Sequence, residues 1–167
     1  MHDELTAVDM KKMREELRER EEVLMPKILE DVKVARSFGD LSENFEYKAA
    51  KAEQRKNMSR IRYLKQMLAS AVVIDAKSDA GVAGLFDRVT LYLEDDDEEM
   101  AVRFVTTLRQ NALEGLISKE SPLGAAVLGH RVGERVYVHV NDDYGYYAQI
   151  RSIEKGSDDD SLPIREF

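Results

Sequence analysis

Two acidic side chains lie close together in a short polar stretch between two helical patterns. The stretch is Arg36-Ser-Phe-Gly-Asp40-Leu-Ser-Glu43-Asn-Phe-Glu-Tyr47. Carboxylates are ligands that suit Mg²⁺, but the pair Asp40 and Glu43 on an exposed turn would hold such a cation only weakly in water. Inserted into an active site that already holds one Mg²⁺, the same pair would help to bind a second ion and orient a water molecule. The pair is therefore compatible with chemistry performed in trans, in the active site of another protein.

The same two residues have the spacing of a helix capping box. In that motif Asp40 bonds the amide three residues later, and Glu43 reaches back to the amide of the capping residue. Gly39 is expected to end the preceding helix, because glycine tolerates the left-handed conformation of a helix C-terminus. Capping leaves outer lone pairs of the carboxylates free for a metal, so both interpretations stay open at this point.

Two long helical patterns flank this stretch. The first covers residues near 9 to 38 and changes register at Pro26, where a bend is expected. The second has small and apolar residues at three-four spacing from Tyr47 to Ala71, which is typical of a coiled coil. Together they predict an antiparallel helical hairpin. Polar residues in its seam are interpreted as setting the register, in preference to a ligand role: Arg20, Gln54 and Asn57.

A one-sided basic stripe begins beside the acidic stretch. Between residues 48 and 65 there are seven basic residues and one acid. Lys48, Lys51 and Arg55 share one side of the helix, next to the seam. A charged run on an exposed helix is commonly a solvated face, whereas a run of one sign beside an acidic tip also fits contact with a phosphate backbone. Both interpretations remain open.

Beyond Ala71 the pattern changes to the alternation of strands. The predicted strands are Val72–Ile74, Val89–Leu93, Val102–Phe104, Val136–Val140 and Tyr146–Ile153. Ser121 and Pro122 predict the start of a short helix that Gly129 ends. We therefore expect an α+β protein in three parts: a coiled-coil hairpin with an acidic tip over residues 1–75, an antiparallel β-sheet domain with a short helix over 76–155, and a flexible acidic tail over 156–167.

Composition narrows the function classes. Residues 1–75 carry 15 basic and 15 acidic side chains, so the second part of the chain holds the whole net charge of −8. The chain has no cysteine, which excludes disulfides and cysteine-based zinc sites, and its 3 histidines are widely scattered. Gly-rich phosphate loops and nucleophile elbows are lacking. No apolar run reaches membrane-spanning length and no signal-peptide core is found, so we expect a cytoplasmic protein without a membrane partner.

One long motif resembles a known family. Ala35-Arg36-x-x-Gly39-Asp40-Leu41-Ser42-Glu43-Asn44-x-Glu46-Tyr47 is similar to the signature of the Gre transcript cleavage factors of bacterial RNA polymerase. The similarity continues in Ile117-Ser-Lys-Glu-Ser121-Pro122-Leu123 and Gly129-x-x-Val132-Gly133. The resemblance implies a monomeric transcription elongation factor whose coiled coil enters the secondary channel of RNA polymerase. There it would induce the polymerase to cleave the 3′ end of backtracked nascent RNA, without being an enzyme by itself.

The resemblance also implies roles for individual residues. Asp40 and Glu43 would be the catalytic tip acids, sharing Mg²⁺ with the polymerase only in the complex, and the isolated protein would need no cofactor. The C-terminal domain would be FKBP-like and dock on the channel rim. The family's basic patch beside the tip would involve Arg36, Lys48, Lys51 and Arg55, and the stretch that matches the docking region includes Ser121, Pro122 and Leu123.

Some positions depart from the family pattern, and two other classes compete. Phe45 stands where the family commonly has alanine, and His130 replaces a usual lysine. A regulator that binds the secondary channel without inducing cleavage is one alternative, against which the retained Asp40 and Glu43 argue. A coiled-coil chaperone or prolyl isomerase is the other, against which the largely polar tip argues. The sequence does not distinguish a GreA-like from a GreB-like cleavage pattern.

Overall fold

The computed structural model describes residues 3–39 and 44–166, which divide into two compact units. The hairpin unit is Met10–Ala71, and the sheet unit combines the residues up to Asp9 with Val72–Glu166. The hairpin domain predicted over residues 1–75 therefore extends beyond this unit at both ends. The reason is a parallel pairing of two short strands, β1 (Glu4–Leu5) and β2 (Val72–Val73), which joins the start of the chain to the sheet unit.

The hairpin unit contains one interrupted helical arm and one continuous arm. The first arm is α1 (Ala7–Glu19, whose first residues belong to the sheet unit), a π-helical segment Arg20–Leu24 and α2 (Met25–Arg36); the second arm is α3 (Phe45–Ser70). Pro26 has no amide hydrogen and its ring excludes the carbonyl four residues earlier. The wider π-helical turn directly before it accommodates that ring and shifts the register of the apolar side chains, while the backbone stays helical.

The seam of the hairpin is partly polar. Glu16 accepts hydrogen bonds from Arg60 (Nε to Oε2 2.6 Å) and from Arg20 (Nε to Oε2 3.0 Å). Arg20 Nη1 also donates to Asn57 Oδ1 at 2.9 Å. Arg20 and Asn57 thus pair across the seam, as the register-setting interpretation requires. Gln54, by contrast, accepts from Lys51 of its own helix.

The sheet unit contains a five-stranded sheet in the order β5-β4-β3-β7-β6. Its strands are β3 (Arg88–Leu93), β4 (Glu98–Val105), β5 (Leu116–Ser118), β6 (Arg135–Asn141) and β7 (Tyr144–Glu154). The sheet was expected to be wholly antiparallel, but β4 and β5 pair in parallel. The chain between them makes two 3-10 turns, Thr107–Arg109 and Ala112–Glu114, and so returns to run beside β4 in the same direction.

One side of the sheet carries the apolar core. Alternate residues of β3, β4, β6 and β7 are buried together with side chains of α4 (Pro122–Val127), which Ser121 caps. The predicted α+β class, with helices first and a sheet with a short helix after them, is confirmed. Within residues 3–39 and 44–166, none of the helices is long and apolar enough to cross a membrane.

The segment after β7 differs from the flexible tail that its composition predicts. Asp158 accepts a hydrogen bond from Arg109 (Nη2 to Oδ1 2.8 Å), and the Arg165 amide donates to the Leu108 carbonyl at 2.8 Å. Leu162 packs against a small apolar cluster around Phe86. A charged partner and an apolar anchor therefore hold this segment on the sheet unit, which residue composition does not reveal.

Candidate functional site

The two arms of the hairpin unit lead to the stretch that carries the predicted acids. Asp40 and Glu43 themselves lie outside the described residues. On the first arm, α2 ends at Arg36, and Gly39 has φ +106°, a conformation that favours glycine. On the second arm, α3 begins at Phe45. The described residues next to the stretch with the two acids are therefore Gly39 on the first arm and Asn44 on the second.

Asn44 is the capping residue of the second arm. Its Oδ1 accepts a hydrogen bond from the Tyr47 amide at 3.0 Å, the interaction of an N-cap with the third helical residue. The expectation that Asp40 begins this helix is therefore wrong. Asparagine and aspartate are both good caps, and the one directly before Phe45 takes the role.

Two contacts join the arms at the base of the tip. Asn44 Nδ2 donates to the Ala35 carbonyl at 2.7 Å, so the capping side chain also bonds the last turn of α2. The Arg36 guanidinium carbon lies 5.9 Å from the centre of the Tyr47 ring, within the range of a cation–π contact. These contacts fix the spacing of the arms and so limit where the stretch between them can reach.

The predicted basic residues lie on one flank of α3. Lys48 and Arg55 are exposed, and Lys51 is half-buried with its ammonium group 3.0 Å from Gln54 Oε1. The opposite flank is different, since a shallow groove there is lined by acids and small side chains: Asp31, Val34, Ala35, Glu46, Ala49, Ala50 and Glu53. The hairpin near its tip thus has a basic flank and an acidic flank.

The predicted docking residues have three different environments. Ser121 Oγ accepts a hydrogen bond from the Gly124 amide at 3.0 Å, so this side chain is the N-cap of α4. Pro122 is exposed. Leu123 is only 9% exposed and belongs to the apolar core. Direct contact of the Leu123 side chain with a partner is therefore not supported, because α4 holds that side chain inside the sheet unit.

No complete metal site is present within residues 3–39 and 44–166, where no group of three or more His, Asp or Glu side chains converges. The carboxylate oxygens of Asp40 and Glu43 are the donor class that Mg²⁺ prefers. Two protein ligands fit an ion that keeps waters or takes further ligands from another molecule. The donor set thus fits a shared Mg²⁺ better than a resident one.

Sequence reasoning missed Glu16 and the capping role of Asn44. Burial raises the pKa of the Glu16 carboxyl, but hydrogen bonds from Arg60 and Arg20 outweigh it and hold the pKa below its ordinary value. The four-residue spacing of Glu16 and Arg20 was a usable signal for this pair. For Asn44 the signal was its position directly before Phe45, at the start of the helical pattern.

Comparison with known proteins defines the class of this two-unit chain. Residues 4–73 match the family model described as transcription elongation factor, N-terminal, and residues 78–155 match the model described as transcription elongation factor, GreA/GreB, C-term. These models span both the hairpin and most of the sheet unit. The chain belongs to the GreA/GreB family of transcription elongation factors.

Two GreA proteins agree with this assignment. The chain is 37% identical to the transcription elongation factor GreA of Staphylococcus epidermidis over 134 residues, which are 80% of this chain and 85% of that protein. It is 38% identical to GreA of Staphylococcus aureus over the same shares of the two chains. Among solved structures, GreA factor homolog 1 (Gfh1) of Thermus thermophilus is 25% identical, with 93% of this chain and 100% of that chain covered and a TM-score of 0.43.

Proposed function

We propose that this chain stimulates transcript cleavage by RNA polymerase. The hairpin unit enters the secondary channel and brings Asp40 and Glu43 to the 3′ end of backtracked nascent RNA. The polymerase provides the active site, and this chain acts as an accessory protein. Family membership supplies the general role in elongation, and the residues of the tip supply the specific one.

The basic flank beside the tip is the observation that carries the proposal. Lys48, Lys51 and Arg55 lie within the first turns of α3, directly after the stretch that contains the two acids. Cationic side chains along one flank neutralise phosphates of a single strand and release its counterions. Arg36 contributes from the other arm. A strand held on this flank lies next to Asp40 and Glu43 and away from the acidic groove on the opposite flank.

The two acids would hold Mg²⁺ jointly with the polymerase. When bound, the ion stabilises charge on the phosphate and lowers the pKa of a coordinated water. Asp40 and Glu43 contribute carboxylate oxygens and orient that water by hydrogen bonding. Asn44 and the Arg36–Tyr47 contact hold the two arms together at the base of the tip.

The sheet unit would anchor the chain on the rim of the channel. The exposed Pro122 at the start of α4 is the residue of the predicted docking stretch that a partner can contact directly. Ser121 and Leu123 support this surface by capping and packing α4. A rim anchor raises the effective concentration of a tip that binds Mg²⁺ weakly alone.

The test is a cleavage assay on stalled, backtracked elongation complexes with labelled RNA. The expected result is release of a 3′ RNA fragment that depends on both the chain and Mg²⁺, together with renewed elongation. Binding to the polymerase without fragment release would reject the proposal in favour of a regulator that occupies the channel without inducing cleavage. Absence of binding would reject both.

A further inference from the structure

The first residue of α3 exposes a large apolar ring. Phe45 is 81% exposed, although it belongs to a well-formed helix. Within the chain its ring has a cationic neighbour, the Lys48 ammonium nitrogen, 5.8 Å from the ring centre. Because the side chain is so little buried, the fold gains almost nothing from an aromatic residue at this position.

The ring is nevertheless held in a defined place. Asn44 caps the helix directly before it, and the same side chain bonds the Ala35 carbonyl of the other arm. The backbone of Phe45 is thus fixed relative to both arms. A positioned aromatic ring with an ammonium group beside it is the combination that proteins use for single-stranded nucleic acids, where bases stack on rings and cations meet phosphates.

We propose that Phe45 stacks on an unpaired base in the extruded 3′ segment of the RNA, with Lys48 against an adjacent phosphate. This inference rests on the proposed function, since it places the RNA on the basic flank next to the tip. Charge favours RNA as the occupant, because Lys48, Lys51 and Arg55 follow Phe45 along that flank. Phe45 would then be a positioning residue for the cleavage reaction.

The test compares full-length variants in the cleavage assay, titrated to half-maximal stimulation. Phe45→Ala should raise the concentration needed about 5-fold to 150-fold, the range of one lost base–aromatic stack, while cleavage at saturation stays within about twofold. Phe45→Tyr keeps a stacking ring and should behave like the parent chain. Phe38→Ala is the matched control, since Phe38 is also exposed, at 65%, but precedes the acids on the other arm.

RNA with abasic nucleotides in the extruded 3′ segment separates a base contact from a protein contact. On this RNA the parent chain should need a higher concentration for half-maximal stimulation of cleavage, and Phe45→Ala should raise that concentration no further. If Phe45→Ala raises the half-maximal concentration equally on intact and abasic RNA, the ring contacts the wall of the channel and not a base, and the inference is overturned. An unchanged titration with Phe45→Ala, or an equal loss with Phe38→Ala, would also overturn it. If the parent chain itself stimulates no cleavage, the proposed function fails and the inference fails with it.

Discussion

The hairpin unit and the sheet unit both bury charged side chains, but they enclose them to different degrees. In the sheet unit the side chains of Arg109 and Asp9 are 0% exposed, and that of Asp158 is 7% exposed. In the hairpin unit the Arg60 side chain is 3% exposed, whereas its partner Glu16 keeps 22%. A carboxylate that loses its partner can recover water in the hairpin but not in the sheet unit. The same kind of ion pair therefore has a different importance in the two regions.

The buried cluster of the sheet unit joins three distant segments of the chain. Arg109 Nε lies 2.8 Å from Asp9 Oδ1, and Nη2 lies 2.8 Å from Asp158 Oδ1. Thr6 bonds Asp9 in the manner of a capping box and also donates to Asp158. The start of α1, the turn after β4 and the segment after β7 thus meet at one guanidinium group. The hydrogen bonds of Glu16, Arg20, Asn57 and Arg60, by contrast, connect the two arms of the hairpin.

The largest effect is expected from Arg109→Met, which leaves two buried carboxylates without their counterion. The free energy of unfolding of the sheet unit should fall by about 3–5 kcal/mol, the usual cost of breaking a buried pair from one side. Urea unfolding followed by circular dichroism measures it. Arg18→Met is the control, because the Arg18–Glu22 pair is exposed and should contribute under about 1 kcal/mol. Equal, small losses in both variants would remove the contrast between buried and accessible pairs.

Arg60→Met makes the corresponding change in the hairpin unit and should cost less, about 1–3 kcal/mol. Glu16 stays partly hydrated and retains its hydrogen bond from Arg20. Lys65→Met is the matched control, since Lys65 pairs with Glu21 at the surface. The measurement is urea unfolding of the helical signal. A fall in unfolding free energy as large as that of Arg109→Met would show that the partial exposure of Glu16 does not reduce the cost of removing its partner.

Asn44→Ala should cost about 1 kcal/mol, confined to the start of α3, because the Tyr47 amide loses its acceptor. Faster hydrogen exchange at the first amides of α3 would report it, with the amides near Leu64 unchanged. Asn44→Asp separates the two roles of this residue, since aspartate keeps the capping acceptor but lacks the donor to the Ala35 carbonyl. Unchanged exchange in Asn44→Ala would argue against the cap.

The smallest effect is expected on the stability of the hairpin at acidic pH. The pKa of Glu16 is lower in the folded chain, because the two arginine hydrogen bonds outweigh the effect of burial. Its contribution to stability is complete above the ordinary value of 4.5 and is lost as the pH falls through the lowered value. Unfolding of the hairpin in urea should therefore become easier below about pH 4.5, and Glu16→Gln should reduce that pH dependence. An identical pH dependence in the variant would contradict this assignment.

Much of the fold could be predicted because its elements are long and periodic. Helix α3 and strands β3, β4, β6 and β7 repeat their apolar residues often enough to show their type. The short strands β1 and β5 could not be recognised, since two or three residues establish no period. Burial of Arg109 was equally hidden, because its partners are distant in sequence and meet only after the sheet has formed.

The described residues test the local geometry of the predicted site, whereas its chemistry stays a prediction. The residue pattern together with the family resemblance singled out Asp40 and Glu43 and the basic residues beside them. The pattern did not show which of two good capping residues begins α3, and in the structure Asn44, directly before Phe45, is the cap. Nor did it show that Leu123 is part of the core, since a docking stretch and a buried helix face look alike in a single sequence.

The central claim is that the hairpin supplies two carboxylates to chemistry that occurs in the polymerase. The most direct test is the double variant Asp40→Asn with Glu43→Gln, in which shape is kept and both charges are removed. Added to backtracked complexes, this full-length variant should bind the polymerase and compete with the parent chain, while stimulated RNA cleavage is abolished. Undiminished cleavage by the correctly folded double variant would contradict the account.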